Sequence, residues 1–214
     1  MRRFGTQGRV RPEQHYIVSR TEEITDFINR IKEGRYIVLF APRQTGKTTF
    51  FRLALDALAT EDPTYFPIQL DFQTMHNVAQ GTFYEQFYYL ICLQIESVFQ
   101  KRGSIPSEAL IEFLADTPIT NHLSMVRCFG NLANLLENQK IVLLIDEFDG
   151  IPKTVVSDFL YALRQIYLSD EMQCPYSMGI VGVKNIKQLD YDRSISPFNS
   201  PPIGNQMTTV LCQL

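Results

Sequence analysis

The residues with the most chemical content are Ala41, Pro42, Arg43, Gln44, Thr45, Gly46, Lys47 and Thr48, followed by Thr49. They fit A/G-x-x-x-x-G-K-S/T, a pattern in which a loop between a strand and a helix cradles phosphates. The chemistry is electrostatic. Consecutive backbone N–H groups in such a loop converge on an anion. The helix that begins at the end of the loop adds unpaired N–H groups and the positive end of its dipole. Gly46 allows close approach and a backbone conformation that side chains resist. Lys47 is expected to reach the β- and γ-phosphates, Thr48 to set its hydroxyl on Mg²⁺, and Thr49 to touch the α-phosphate. Ala41 stands where glycine is commoner but remains within the pattern. Pro42, Arg43, Gln44 and Thr45 fill its variable positions.

A second group lies far downstream. Ile141 to Ile145 is wholly apolar and runs into Asp146 and Glu147. This is the Walker B pattern, in which a buried strand delivers a carboxylate to the carboxyl end of a sheet, where open α/β sheets bind ligands. Asp146 is expected to hold Mg²⁺, and Glu147 to polarise the water that attacks the γ-phosphate. Asp149 reads as a helix-start residue. Arg164, on the helix beyond, reads as a surface ion-pair partner rather than a finger into a neighbour's site.

The elements that must present these groups can be traced by periodicity. Arg35 to Ala41, Phe66 to Phe72, Lys140 to Asp146 and Tyr176 to Val183 are short apolar runs of the kind that form strands buried on both faces. Between them, apolar residues recur at helical spacing: Ile24, Phe27, Ile28 and Ile31, then Phe51, Ala54, Leu55 and Leu58. The pattern returns from Phe83 to Val98, from Glu108 to Ala115, from Leu123 to Leu136 and from Val155 to Ile166. Thr21 is positioned to cap the first helix. Strands alternating with helices predict an α/β fold, a mostly parallel sheet of at least four strands flanked by helices in three layers. Residues 1 to 14, with Arg2, Arg3, Arg9 and Arg11, read as a flexible arm. The folded domain is expected over 15 to 192. Residues 193 to 214, with Pro197, Pro201 and Pro202, read as an irregular tail, although Met207 to Cys212 is β-prone enough to pair with a sheet edge.

Composition narrows the function classes. The chain has 214 residues, with 20 Lys plus Arg against 23 Asp plus Glu, for a formal net charge of −3. That balance gives no support to a nucleic-acid coat. No apolar run approaches the ~20 residues that span a bilayer, and no apolar stretch follows the basic start, so neither a membrane span nor a secretory signal is expected. Cys92, Cys128, Cys174 and Cys212 are too far apart for a zinc cluster. Read as reduced, mostly buried thiols, they suit a cytoplasmic location.

Taken together, Tyr16 to Arg20, Ala41 to Thr48, Ile141 to Glu147, and Gly182 to Asn185 resemble the AAA-like P-loop ATPase domains, in particular those of the bacterial STAND (signal-transduction ATPase) type. The resemblance covers about residues 15 to 198. It implies a P-loop NTPase sheet in the order 5-1-4-3-2, with ATP and Mg²⁺ as cofactors. It also implies an adenine pocket near Tyr16, Ile17 and Arg20, and a phosphate sensor after the fourth strand. Relatives often carry arginine at that sensor, whereas this chain has Lys184, a point charge without bidentate geometry. Few residues follow Asn185, so a truncated or divergent C-terminus is expected, with the family's fifth strand and helical lid in question. The functional expectation is an ATPase whose turnover serves as a conformational switch, with a homo-oligomer or an effector protein as partner. The alternative is a nucleotide-binding interaction module with little or no hydrolysis, because a lid normally closes the site against water. A kinase is disfavoured by the Asp-Glu pair and a GTPase by the lack of Asn-Lys-x-Asp.

Overall fold

The computed structural model describes residues 20–40, 42, 45–136, 139–169 and 174–182, and residues 207–210 by their backbone alone. The arm over 1 to 14 lies outside the described residues, as do Tyr16, Ile17, Ala41, Arg43, Gln44, Lys184 and Asn185. The helices are α1 (Thr21–Lys32), α2 (Lys47–Glu61), α3 (Gln80–Arg102), α4 (Glu108–Asp116), α5 (His122–Leu135) and α6 (Lys153–Tyr167). The strands are β1 (Tyr36–Phe40), β2 (Tyr65–Asp71), β3 (Lys140–Asp146), β4 (Ser177–Gly182) and β5 (Met207–Val210). Single 3-10 turns occupy Gln73–Met75 and Phe148–Gly150.

The sheet is parallel throughout, in the order β2-β3-β4-β1-β5. This is the strand order that the resemblance implied. β5 pairs with β1, with Tyr36 opposite Met207 and Leu39 opposite Val210. The expectation of an irregular tail over 193 to 214 is therefore corrected at Met207–Val210. A β-prone run satisfies its backbone groups on the open side of β1, which would otherwise be an unpaired edge.

Alternation along the strands builds the three layers. Ile37 and Leu39 of β1, Val142 and Leu144 of β3, and Val181 of β4 face α1 and α2, where they meet Phe27, Ile31, Phe51, Ala54 and Leu58. Tyr36, Val38, Ile141, Leu143, Ile145, Met178 and Ile180 face the other way, into the larger core closed by α3, α5 and α6. Aromatic residues dominate that side: Phe159 packs against Phe72, Phe83, Phe87 and Phe148 at ring separations of 5.3–6.1 Å.

Local signals set the helix ends. Asn121 and Ser124 form a reciprocal capping box at the start of α5. The Ser107 hydroxyl accepts from the Leu110 N–H at the start of α4. The Thr21 cap is corrected: Arg20 holds the cap position and Thr21 is the first helical residue. No helix among the described residues is long and apolar enough to cross a membrane.

Candidate nucleotide site

In a parallel sheet the carboxyl ends of all strands lie along one edge. β1 ends at Phe40 and β3 at Asp146, and β4, which pairs with both, ends at Gly182 opposite Phe40. The loop after β1 and the acidic turn after β3 therefore leave the same edge of the sheet, separated by one strand.

The loop enters α2 through Gly46, whose φ of +84° is the left-handed conformation. A β-carbon there would touch nothing within 4 Å. Glycine is therefore required by backbone conformation and not by crowding. Lys47 opens α2 and is only 5% exposed. Its Nζ donates to the Pro42 carbonyl at 2.9 Å, and the Thr45 hydroxyl donates to the same oxygen at 3.0 Å. The lysine is thus curled back over its own loop. Thr49 follows in the first turn of α2, where N–H groups have no partner within the helix.

The two motifs meet directly. The Thr48 hydroxyl donates to Asp146 Oδ2 at 2.6 Å, across 98 residues of chain. Asp146 is 2% exposed, and its other oxygen, Oδ1, accepts the Glu147 N–H at 2.9 Å. Glu147 has φ +50° and ψ +44°, a conformation uncommon outside glycine. Both of its backbone groups are bonded, since its carbonyl accepts the Gly150 N–H at 2.8 Å. Unusual backbone conformations of this kind cluster at functional sites, where the surroundings must enforce them.

A hydroxyl and a carboxylate oxygen in contact make a donor set suited to Mg²⁺. That ion prefers hard oxygen ligands, keeps several waters, and needs only one or two protein groups beside substrate phosphates. No group of three or more His, Cys, Asp or Glu side chains able to hold a metal ion occurs among the described residues. A metal that arrives with phosphates does not need one.

Arg20 also reaches the loop. Its Nη2 donates to the Thr45 carbonyl at 3.2 Å, while Nη1 is buried with no hydrogen-bond partner among the described residues. The structure thus brings Arg20, Pro42, Thr45, Gly46, Lys47, Thr48, Thr49, Asp146 and Glu147 to one edge. Arg164 is set apart, in the last turn of α6. A cleft of about 330 Å³ beside α1 is lined by Glu22, Glu23, Asp26, Phe27, Arg30, Leu39 and Phe50. Its carboxylates disfavour a polyanion.

Asp149, expected at a helix start, lies in the first turn of the 3-10 helix Phe148–Gly150, ahead of α6. Its carboxylate sits over Gly182: a β-carbon built there would lie 2.9 Å from Asp149 Oδ2. Sequence reasoning passed over Gly150, and it read Gly182 only as the start of the segment after the fourth strand, without its packing against Asp149.

No curated protein matches the sequence. Among solved structures, the chain is similar to the Walker-type ATPase of Pyrococcus abyssi, with 16% identity and a TM-score of 0.62 over 96% of this chain and 57% of that one. It is also similar to Cdc6p from Pyrobaculum aerophilum, with 13% identity and a TM-score of 0.53 over 91% of this chain and 46% of that one. A chain of the Drosophila ORC structure bound to poly(dA/dT) DNA and Cdc6 aligns at 11% identity and a TM-score of 0.50, over 90% of this chain and 28% of that one. The chain thus spans little more than half the length of the first of these neighbours and less of the others. At these identities the likeness shows the fold, that of a P-loop NTPase. The model of the AAA-like domain family matches residues 6–201, nearly the whole sequence, and the chain belongs to that family.

Proposed function

We propose that this chain binds ATP with Mg²⁺ and hydrolyses it, and that turnover serves as a conformational switch. The observation that carries the proposal is the 2.6 Å bond from Thr48 to buried Asp146, which unites the phosphate loop with the acidic strand end. Phosphates would lie against the loop from Ala41 to Gly46 and the first turn of α2. Lys47 would leave the Pro42 carbonyl to meet the β- and γ-phosphates. Thr48 and Asp146 would hold Mg²⁺, which when bound neutralises charge developing on the phosphoryl oxygens. Glu147 would orient and deprotonate the attacking water. Tyr16 and Arg20 would border the adenine side, and Lys184 would face the γ-phosphate from beyond β4. The STAND type, with a second copy or an effector protein as partner, fits this reading. The net charge of −3 lends no weight to nucleic acid as a partner.

Calorimetry with ATP, ADP and GTP, each with and without Mg²⁺, tests binding, base preference and metal dependence together. Phosphate release by the wild type, Lys47→Ala and Glu147→Gln tests the chemistry. Glu147→Gln is expected to retain affinity while turnover falls at least about 100-fold, the usual contribution of a positioned general base. Equal ATP affinity in the wild type and Lys47→Ala would end the proposal. ATP binding with no turnover above the Glu147→Gln background would favour the non-hydrolysing interaction module.

A further inference from the structure

The three residues after Glu147 are all packed on the fold, two of them against Phe72 and one against β4. Phe148 is 1% exposed and stacks on Phe72 at 6.1 Å, with the rings 27° apart. Gly150 lies against the backbone at the end of β2: a β-carbon there would fall 2.0 Å from the Phe72 carbonyl oxygen. Asp149, between them, sends its carboxylate to the tip of β4. A β-carbon on Gly182 would lie 2.9 Å from Asp149 Oδ2, 3.3 Å from Cγ and 3.4 Å from Oδ1. Gly182 pairs with Phe40, the last residue of β1 before the phosphate loop. One carboxylate thus crosses from the acidic turn to the strand that separates that turn from the loop.

The consequence falls on Glu147. Its left-handed backbone is not one that a glutamate adopts unaided, so the neighbouring turn must hold it. Phe148 and Gly150 pack on Phe72, in the core and at the end of β2, and the Asp149 carboxylate lies against the tip of β4. We propose that Asp149 is a positioning residue, which, seated on Gly182, fixes the turn that aims Glu147 and ties that aim to the tip of β4. The inference rests on the ATPase reading above. It also bears on Gly182, since a β-carbon there would meet the carboxylate and make it shift.

The test uses the full chain and three readouts: Mg-ATP affinity by calorimetry, single-turnover phosphate release, and the melting temperature. Asp149→Ala is expected to slow hydrolysis 10- to 100-fold, the usual loss when a supporting group of a site is removed, with ATP affinity changed by less than about twofold. Gly182→Ala displaces the same carboxylate from the other side and should slow hydrolysis comparably. In the Asp149→Ala background, Gly182→Ala should cost nothing further, because the group it strikes is gone. Asp149→Asn keeps the volume on the seat and should stay within about fivefold of the wild type. Should Asp149→Ala fail to fold, Gly182→Ala and Asp149→Asn carry the test.

The inference is overturned if Asp149→Ala hydrolyses at the wild-type rate, if the two alanine effects multiply in the double variant, or if Asp149→Asn is as slow as Asp149→Ala. Loss of turnover, affinity and melting temperature together would show a merely structural role and overturn it as well. A wild type that binds ATP without hydrolysing it removes the ATPase reading and this inference with it. An active wild type beside an unimpaired Asp149→Ala removes this inference alone.

Discussion

Replacing Thr48 by Val tests the contact between the two motifs most directly. Valine keeps the shape and β-branching of threonine and removes the hydroxyl, both as a donor to Asp146 and as an oxygen ligand. Asp146 is 2% exposed, and among the described residues its carboxylate would then accept a single bond, from the Glu147 N–H. A hydrogen bond to a charged group contributes about 1.5–3 kcal/mol. Thr48 itself is exposed, so water can partly replace its hydroxyl, and the low end, about 1.5 kcal/mol, applies. For a domain of this size each kcal/mol shifts the melting temperature by about 2–4 °C, which predicts a loss of about 3–6 °C without nucleotide. The functional consequence is separate. Valine offers no oxygen to Mg²⁺, so the gain in ATP affinity on adding the metal should shrink, while affinity in EDTA should change little. Scanning calorimetry and titration calorimetry on the two proteins measure both effects. If Thr48→Val melts within about 1 °C of the wild type and its ATP affinity responds to Mg²⁺ as the wild type's does, the argument is refuted.

Other perturbations probe the packing around the site. Gly150→Ala would force a methyl to within 2.0 Å of the Phe72 carbonyl, a backbone atom that cannot rotate away. Overpacking of this kind costs about 1–3 kcal/mol, so denaturant melts should show a clear loss of stability, and an unchanged midpoint would contradict the close approach. Burial pushes the Cys128 thiol up from 9.0 to about 12 and raises Cys92, Cys174, Tyr36 and Tyr84 in the same direction. An unfolded chain would ionise these groups first, so their contribution to stability is intact below pH 9 and declines as pH rises toward 12. Urea midpoints should hold steady between about pH 7 and 8.5 and fall by about pH 10, and a midpoint that rises over that interval would reverse the sign. Alkylation of Cys128 at about pH 8 should require unfolding, since only the thiolate reacts.

Much of the fold was legible from local patterns. The strand over Lys140–Asp146 was read to the residue because a run buried on both faces leaves no alternative for its side chains. α3 extends beyond the predicted Phe83 to Val98, to Gln80–Arg102, because the added residues, mostly polar apart from Phe99, do not continue the apolar period. The phosphate loop was legible because its glycine answers to a local demand, a left-handed φ at Gly46, and its lysine breaks a local rule, since a cation at a helix start is disfavoured unless an anion is to bind there. The sequence by itself thus determined which segments are strands and helices, and which two segments could handle phosphate and metal. Their joining was decided by tertiary structure alone. The bond from Thr48 to Asp146, the reach of Arg20 to Thr45, the pairing of β5 with β1 and the seat of Asp149 on Gly182 all link residues distant in the chain. Local propensity carries no record of such distances. They are set by the order of strands in the sheet, which depends on how two faces of one strand layer are covered at once.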